Sequence, residues 1–328
     1  MSHALLDTIS GNRKDLVEED YFRYWFGHSA IIKILHYAWN IDSIYILNGV
    51  LILILSLGAL LYTYKMTGLV GALGMFFLLA LSNFQVFFMC LEYSPVFIIG
   101  LGGLLFLCSR NETTGRGKTF FILGMLTSYF DLLTAPVLVF GIPSLVICGK
   151  DFSRLSPAEQ REVKNWLRIW CGGPAAWLAG YILSWGTKLL IGALVCSDIH
   201  SVIYRLLLRS GTTTEWNQPI TRWEAVCRNG FFFHTYNQPV LLLAVIALCV
   251  LLTVKIYWWK QHKLKFNLGL FCGYLMLAVI PVMVIWIMAN HTYTHANLMT
   301  YRGLTLTVAA LFMTLTAFQP KDDTKAEG

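Results

Sequence analysis

Long apolar stretches separated by short polar ones make up most of this chain, and few carry the one-sided stripe of a soluble helix. A helix needs ~20 apolar residues to cross the hydrocarbon core. On that basis the runs predict nine membrane-crossing helices, at roughly 44–64, 69–91, 94–109, 119–134, 136–149, 171–195, 240–259, 267–289 and 303–318. The third to fifth are short, which implies tilt or local thinning of the bilayer, and only an Ala135-Pro136 turn separates the fourth from the fifth. A lipid-facing backbone must satisfy its own hydrogen bonds, so the spans are helices. The expected fold class is all-α, a polytopic transmembrane helix bundle.

The same pattern sets the domain frame. Residues 1–43 form an extracytoplasmic segment and 44–318 the transmembrane domain, with an external loop near 196–239 and a cytoplasmic helix near 156–169; 319–328 is a tail. In the cytoplasmic helix Ser156 caps, Pro157 suits the first turn and Glu159 completes a capping box. Val163, Trp166, Leu167 and Trp170 then share a face that would rest on the inner leaflet. Near the start, Phe22, Trp25, Phe26, Ile32, Leu35 and Trp39 recur at helical spacing. They predict an interfacial helix with Arg23, His28 and Lys33 near the headgroups.

Composition excludes the soluble alternative. Of 328 residues 56% are hydrophobic and 13% charged, with mean hydropathy +0.60, whereas a soluble domain carries about twice that charged fraction. Most of the eight cysteines sit inside apolar runs and read as small buried hydrophobes. Cys196 and Cys227 flank one polar loop and are the pair placed for a disulfide if there is one. The first forty residues hold no apolar signal-peptide core, and no period of about 20–50 residues suggests a repeat array.

The net charge is +7, but its distribution matters more than its sum. Alternate loops collect Lys65, then Arg110, Arg116 and Lys118, then Lys150, Arg154, Arg161, Lys164 and Arg168, then Lys255, Lys260, Lys263 and Lys265, and finally Lys321 and Lys325. The positive-inside rule makes that side cytoplasmic, with the N-terminus outside and the C-terminus in the cytosol. The loop 196–239 opposes this with Arg205, Arg209, Arg222 and Arg228, but long loops translocate largely regardless of charge. An N-terminal tail bearing Arg13, Lys14, Arg23 and Lys33 would cross without a preceding span, so the sequence reads as though its front were missing.

This topology gathers the awkward polar residues on the outer side. Glu92 stands in MCLEYSP, Asp131 in SYFDLLTAP, Lys188 near the end of the sixth span, and NHTYTHANLMTYR joins the last two spans. Ionisable groups at such depths are costly unless paired or solvated, and mark function by default. Singly, Glu92 and Asp131 also read as hydrated helix ends, and Lys188 as a snorkelling lysine. His291 and His295, four apart, have a spacing that can bind a metal. HTYTH lacks the glutamate of the zinc-protease signature, however. Arg302 with the two histidines fits a phosphate better, and a nearby carboxylate would take a proton from a hydroxyl.

RYWFGH (23–28), EYSPVF (92–97), SYFDLLTAPVLVFGIP (128–143) and NHTYTHANLMTYR (290–302) together resemble a group of bacterial multi-pass membrane glycosyltransferases of the GT-C class. The likeness runs from about residue 20 to residue 315. It implies a GT-C-like enzyme of a bacterial plasma membrane, moving a sugar from a polyprenyl-phosphate donor to an extracytoplasmic glycan or lipid-linked acceptor. An acidic residue in the first external loop typically activates the acceptor in such enzymes, yet the first span is absent here. Asp7 is the acid beside the apolar HALL stretch, with Glu18, Glu19 and Asp20 as nearby alternatives and Asp131 and Glu92 as substitutes. Arg302, His291, His295 and Lys188 would hold the donor phosphate, and Trp25, Tyr93, His28 and Arg23 would contact acceptor or sugar. Partners would be the polyprenyl-phosphate-linked sugar, an envelope acceptor and membrane lipids, with no nucleic acid. No cofactor is called for, a divalent cation being the one addition the chemistry accommodates.

Two rivals remain at this stage. A transporter or flippase of lipid-linked sugars would place polar groups near the midplane, whereas these acids cluster at one face. A non-catalytic scaffold, an inactive truncated relative, would share the small residues Gly68, Gly71, Gly74, Gly100 and Gly103 that suit close helix packing.

Overall fold

The computed structural model describes residues 25–110, 115–130, 135–196, 207–214 and 218–321. Helices make up nearly all of it: α1 (Gly27–Leu35), α2 (Ile41–Leu81), α3 (Pro95–Ser109), α4 (Arg116–Tyr129), α5 (Pro136–Ser153), α6 (Pro157–Arg161) and α7 (Val163–Trp170). They are followed by α8 (Gly172–Cys196), α9 (Arg222–Lys260), α10 (Leu268–Ile287), α11 (Ala289–Thr294) and α12 (Leu304–Thr314). Strand β1 (Leu264–Phe266) pairs antiparallel with β2 (Phe318–Pro320), Lys265 opposite Gln319. Five of the described helices, α2, α5, α8, α9 and α10, are long and apolar enough to cross a membrane. The chain is a helical membrane protein.

A continuous helix of 41 residues would be ~60 Å long, about twice the hydrocarbon core. Gly68 prevents that: its φ of 70° and ψ of −164° break α2 in two. The chain doubles back there, because the Asn48 side chain in the first limb donates to the carbonyls of Phe87 and Phe88, at 2.8 and 2.9 Å, just beyond the second limb. The reversal matches the expected gap between the spans 44–64 and 69–91. The second limb stops earlier than expected, at Leu81, and a 3₁₀ turn, Phe84–Phe88, follows.

Burial ranks the helices by position. In α5, 83% of the most apolar window is buried, against 6% for α9, so α5 is the hub and α9 faces lipid. Around α5 pack Leu101 and Leu104 of α3, Leu277 and Ala278 of α10, and Leu306, Ala309 and Ala310 of α12, all in one buried cluster. α4 and α8 lie close together because a Cβ on Gly124 would strike the Trp177 carbonyl and one on Gly180 the Phe121 carbonyl.

Contacts define two ends of the bundle. At one, α1 and the start of α2 meet residues 91–99 and Phe130, while Arg302 reaches back to Ser82. The other is basic: Arg116 pairs with Asp151, Lys65 lies within electrostatic range of Lys150, and Lys255 donates to the Phe318 carbonyl at 3.3 Å.

Three expected elements are corrected. The capping box of Ser156 and Glu159 is present, and its bonds hold the Glu159 carboxyl below the usual range. But Glu162, with φ −76° and ψ 118°, splits the helix expected at 156–169 into α6 and α7. Of its apolar face, Trp166 donates to the Gly269 carbonyl at 2.9 Å and Trp170 is fully buried, while Val163 and Leu167 stay exposed. The loop expected over 196–239 is helical from Arg222, where Thr221 and Glu224 form a second capping box. Near the N-terminus α1 spans only Gly27–Leu35 of the expected 22–39, Phe22 and Arg23 lying outside the described residues.

Candidate functional site

Where α10 ends at Ile287, two bonds from one guanidinium cap it and a third ties it to Ser210. Arg222 donates to the carbonyls of Trp286 (2.7 Å), Ile287 (3.1 Å) and Ser210 (3.2 Å), the favourable role of a cation at a helix C-terminus. The chain then re-enters a short helix, α11, held by Asn229 of α9. The Asn229 amide donates to the Thr292 carbonyl at 2.9 Å, and Asn290 donates to the Leu208 carbonyl at 2.9 Å. The polar cluster of residues 289–302 is thus an ordered, buried loop.

Inside it the two histidines meet, with ring centroids 4.7 Å apart. His291 is 8% exposed, and its Nε2 is buried without a hydrogen-bond partner. Burial first, then His295 and Arg209, hold its pKa well below the usual imidazole value. None of those neighbours is a carboxylate. Arg228 lies 4.3 Å from the Tyr293 ring centroid and 5.7 Å from that of Phe232, and its Nε is also buried without a partner. The loop therefore holds an imidazole and a guanidinium nitrogen with hydrogen bonds unspent, a donor set suited to an anion.

Arg302 is committed to backbone. Its Nε donates to the Ser82 carbonyl at 2.9 Å, its Nη1 to the Leu298 carbonyl, and its guanidinium lies over the rings of Tyr301 (4.7 Å) and Phe87 (5.3 Å). It fastens the 3₁₀ turn Thr300–Gly303 to the end of α2. Tyr301 is 1% exposed and packs on Tyr236, and burial raises its pKa.

A second group forms around Trp25. The indole donates to the Ser184 carbonyl at 3.2 Å, Lys188 lies 5.0 Å from its centroid, and Tyr129 packs at 6.0 Å. His28, three residues on, has a buried, unpartnered Nδ1. Burial lowers its pKa, and the carboxylate of Glu92 pulls the other way. Glu92 itself is exposed, and Tyr93 is half-buried against the core. The structure thus brings Trp25 to Lys188, His28 to Glu92 and His291 to His295. Asp7, Arg23 and Asp131 lie outside the described residues.

Sequence reasoning counted Arg209 and Arg228 as loop charges and passed over Asn229. A signal for two of them was present: Thr221 and Glu224 mark a helix start that places Arg228 and Asn229 two turns into α9. Among the described residues no group of three or more His, Cys, Asp or Glu is placed to hold a metal ion. Cys227 is an exposed free thiol.

No family model, curated protein or solved structure matches the chain.

Proposed function

We propose that the protein is a membrane glycosyltransferase of the GT-C type, transferring a sugar from a polyprenyl-phosphate donor to an envelope glycan or lipid-linked acceptor. The observation that carries this reading is the buried His291 Nε2, unpartnered beside His295 and Arg209. Such a group gains most when an anion arrives. The residue motifs shared with that class, and a carboxylate at the same end of the bundle, add to it.

In this reading His291, Arg209 and Arg228 draw the donor phosphate into the loop, and Arg302 and Asn229 keep the loop in place. A carboxylate removes the proton from the acceptor hydroxyl, whose oxygen attacks the anomeric carbon. The bond from that carbon to the phosphate oxygen breaks, and polyprenyl phosphate leaves with the electron pair. Cationic donors speed this step by stabilising charge on the leaving oxygen. Glu92, which acts electrostatically on His28, is the described candidate for that acid; Asp131 and Asp7 are the others. Trp25, with Lys188 over one face of its ring, and Tyr93 offer a stacking surface for a sugar. By the positive-inside rule the basic end is cytoplasmic and the histidine loop faces outward across a bacterial plasma membrane, the nine spans running between.

Membranes containing the full chain, supplied with radiolabelled polyprenyl-phosphate sugars, test this. Wild type transfers label, and His291→Gln and Arg228→Gln each lower the rate about 10²-fold, the scale of losing one transition-state donor. Equal rates in wild type and both variants would remove the site. Labelled lipid crossing vesicles with no product formed would replace the enzyme with a transporter.

A further inference from the structure

At the basic end, away from the histidine loop, a cavity of about 490 Å³ opens between the start of α4, the end of α5, α7 and the start of α8. Three arginines line it, Arg116, Arg154 and Arg168, with one carboxylate, Asp151. Arg116 pairs with Asp151, and both side chains are nearly buried, 11% and 12% exposed. Beyond that pair the Arg116 Nε and Nη2 are buried without a hydrogen bond, as is Asp151 Oδ1. Arg154 acts electrostatically on Arg116, and Arg116, Arg154 and Lys65 all act on Lys150 next to it. Like charges drawn together at low dielectric repel, and among the described residues that line the cavity one carboxylate stands beside three arginines, Arg168 also feeling Glu159 outside it.

The backbone adds to the imbalance. α4 and α8 both begin at this cavity, through Gly117 and Gly172. A Cβ on either glycine would meet nothing within 4 Å, so both first turns are open to a ligand. The N-cap of α4, Gly115, has no side chain to satisfy the helix's first amides, the groups through which a helix N-terminus takes an anion.

We propose that this cavity binds a phosphate-bearing anion, the headgroup of an anionic phospholipid in the adjoining leaflet. α7 points to the lipid as the source. Trp170 and Trp166 anchor it to the bundle, Val163 and Leu167 remain exposed (71% and 47%), and a helix so divided rests at headgroup depth. Arg168 projects from it into the cavity lining and would share the phosphate with Arg116, each guanidinium offering a planar fork of donors. Basic pockets between helices at a membrane face suit such headgroups. The proposal does not depend on glycosyl transfer at the opposite end.

The test uses the purified full chain in neutral detergent, following its thermal midpoint as phosphatidylglycerol, phosphatidylcholine or inorganic phosphate is added. A ligand that binds the folded state raises that midpoint saturably. Phosphatidylglycerol is expected to do so and phosphatidylcholine not. Arg168→Gln shifts half-saturation upward about tenfold, and Arg168→Lys, which keeps the charge without the fork, falls between. Asp151→Asn shifts it downward, and Arg161→Gln, exposed outside the cavity, leaves it unchanged. Saturation by inorganic phosphate, with the same variant pattern, supports the anion site with a soluble source. Equal shifts for Arg161→Gln and Arg168→Gln, or equal responses to both lipids, overturn the proposal.

Discussion

The Thr300 hydroxyl donates to the side-chain oxygen of Asn229 at 2.7 Å, while the Asn229 amide donates to the carbonyls of Ala225 and Thr292. One fully buried amide thereby fastens both limbs of the 289–303 loop to α9. Arg302, through the Ser82 carbonyl, and Asn290, through that of Leu208, are the loop's other ties.

Asn229→Ala should therefore cost stability and site geometry together. Removing it strands the Thr292 carbonyl and loosens Thr300, a loss of about 2 kcal/mol. Urea unfolding of the detergent-solubilised chain would show it, with transfer activity falling in parallel. Unchanged stability would mean that water or Thr300 alone can replace the amide.

The pH dependence follows from His291. Its folded pKa is held well below the ordinary value by burial, His295 and Arg209, whereas in the unfolded chain it titrates near ~6.5. The unfolded state then binds the extra proton first, so the stability present above that pH is lost as pH falls below it. His28 acts in the same sense, with Glu92 opposing. A fall in thermal midpoint between pH 7 and pH 5 is expected, and a shallower one in His291→Gln.

Two glycine replacements should have opposite signs. Gly68 holds φ 70°, ψ −164°, a region essentially closed to other residues, so Gly68→Ala costs about 1–3 kcal/mol although no atom lies within 4 Å of the new methyl. Gly102, within helix α3, also has open space around a Cβ. There alanine should stabilise by up to about 1 kcal/mol. Thermal midpoints of the two variants decide it.

Sidedness is open to labelling. With the exposed native thiols Cys227, Cys249 and Cys272 replaced by serine, Tyr37→Cys and Lys164→Cys should react with impermeant maleimide from opposite faces. Tyr37, 94% exposed, should label in intact cells and residue 164 only after permeabilisation. Labelling of both from one side would refute the orientation proposed above.

What could be read from the chain was what local chemistry enforces. The capping box at Ser156 follows from residue types at fixed spacing, and the break between residues 64 and 69 from the hydropathy pattern. Gly68, counted as a packing glycine, is the break itself, with nothing within 4 Å of a Cβ there. The split of α6 from α7 at Glu162 did not show, since glutamate is an ordinary helix former and only tertiary anchoring of Trp166 and Trp170 sets the angle. Arg302 illustrates the same limit at the site. Its charge suggested a phosphate, while two of its nitrogens are taken by the Ser82 and Leu298 carbonyls, partners no spacing rule supplies. Arg228 was hidden by counting it as a loop charge, although Thr221 and Glu224 already announced the helix that carries it.

The sharp turn at Gly68 also constrains how the protein is made. The limbs on either side are joined by only a short stretch that carries Lys65 and Thr67, which favours their entry into the bilayer as a paired hairpin; an epitope tag inserted at that point should separate them.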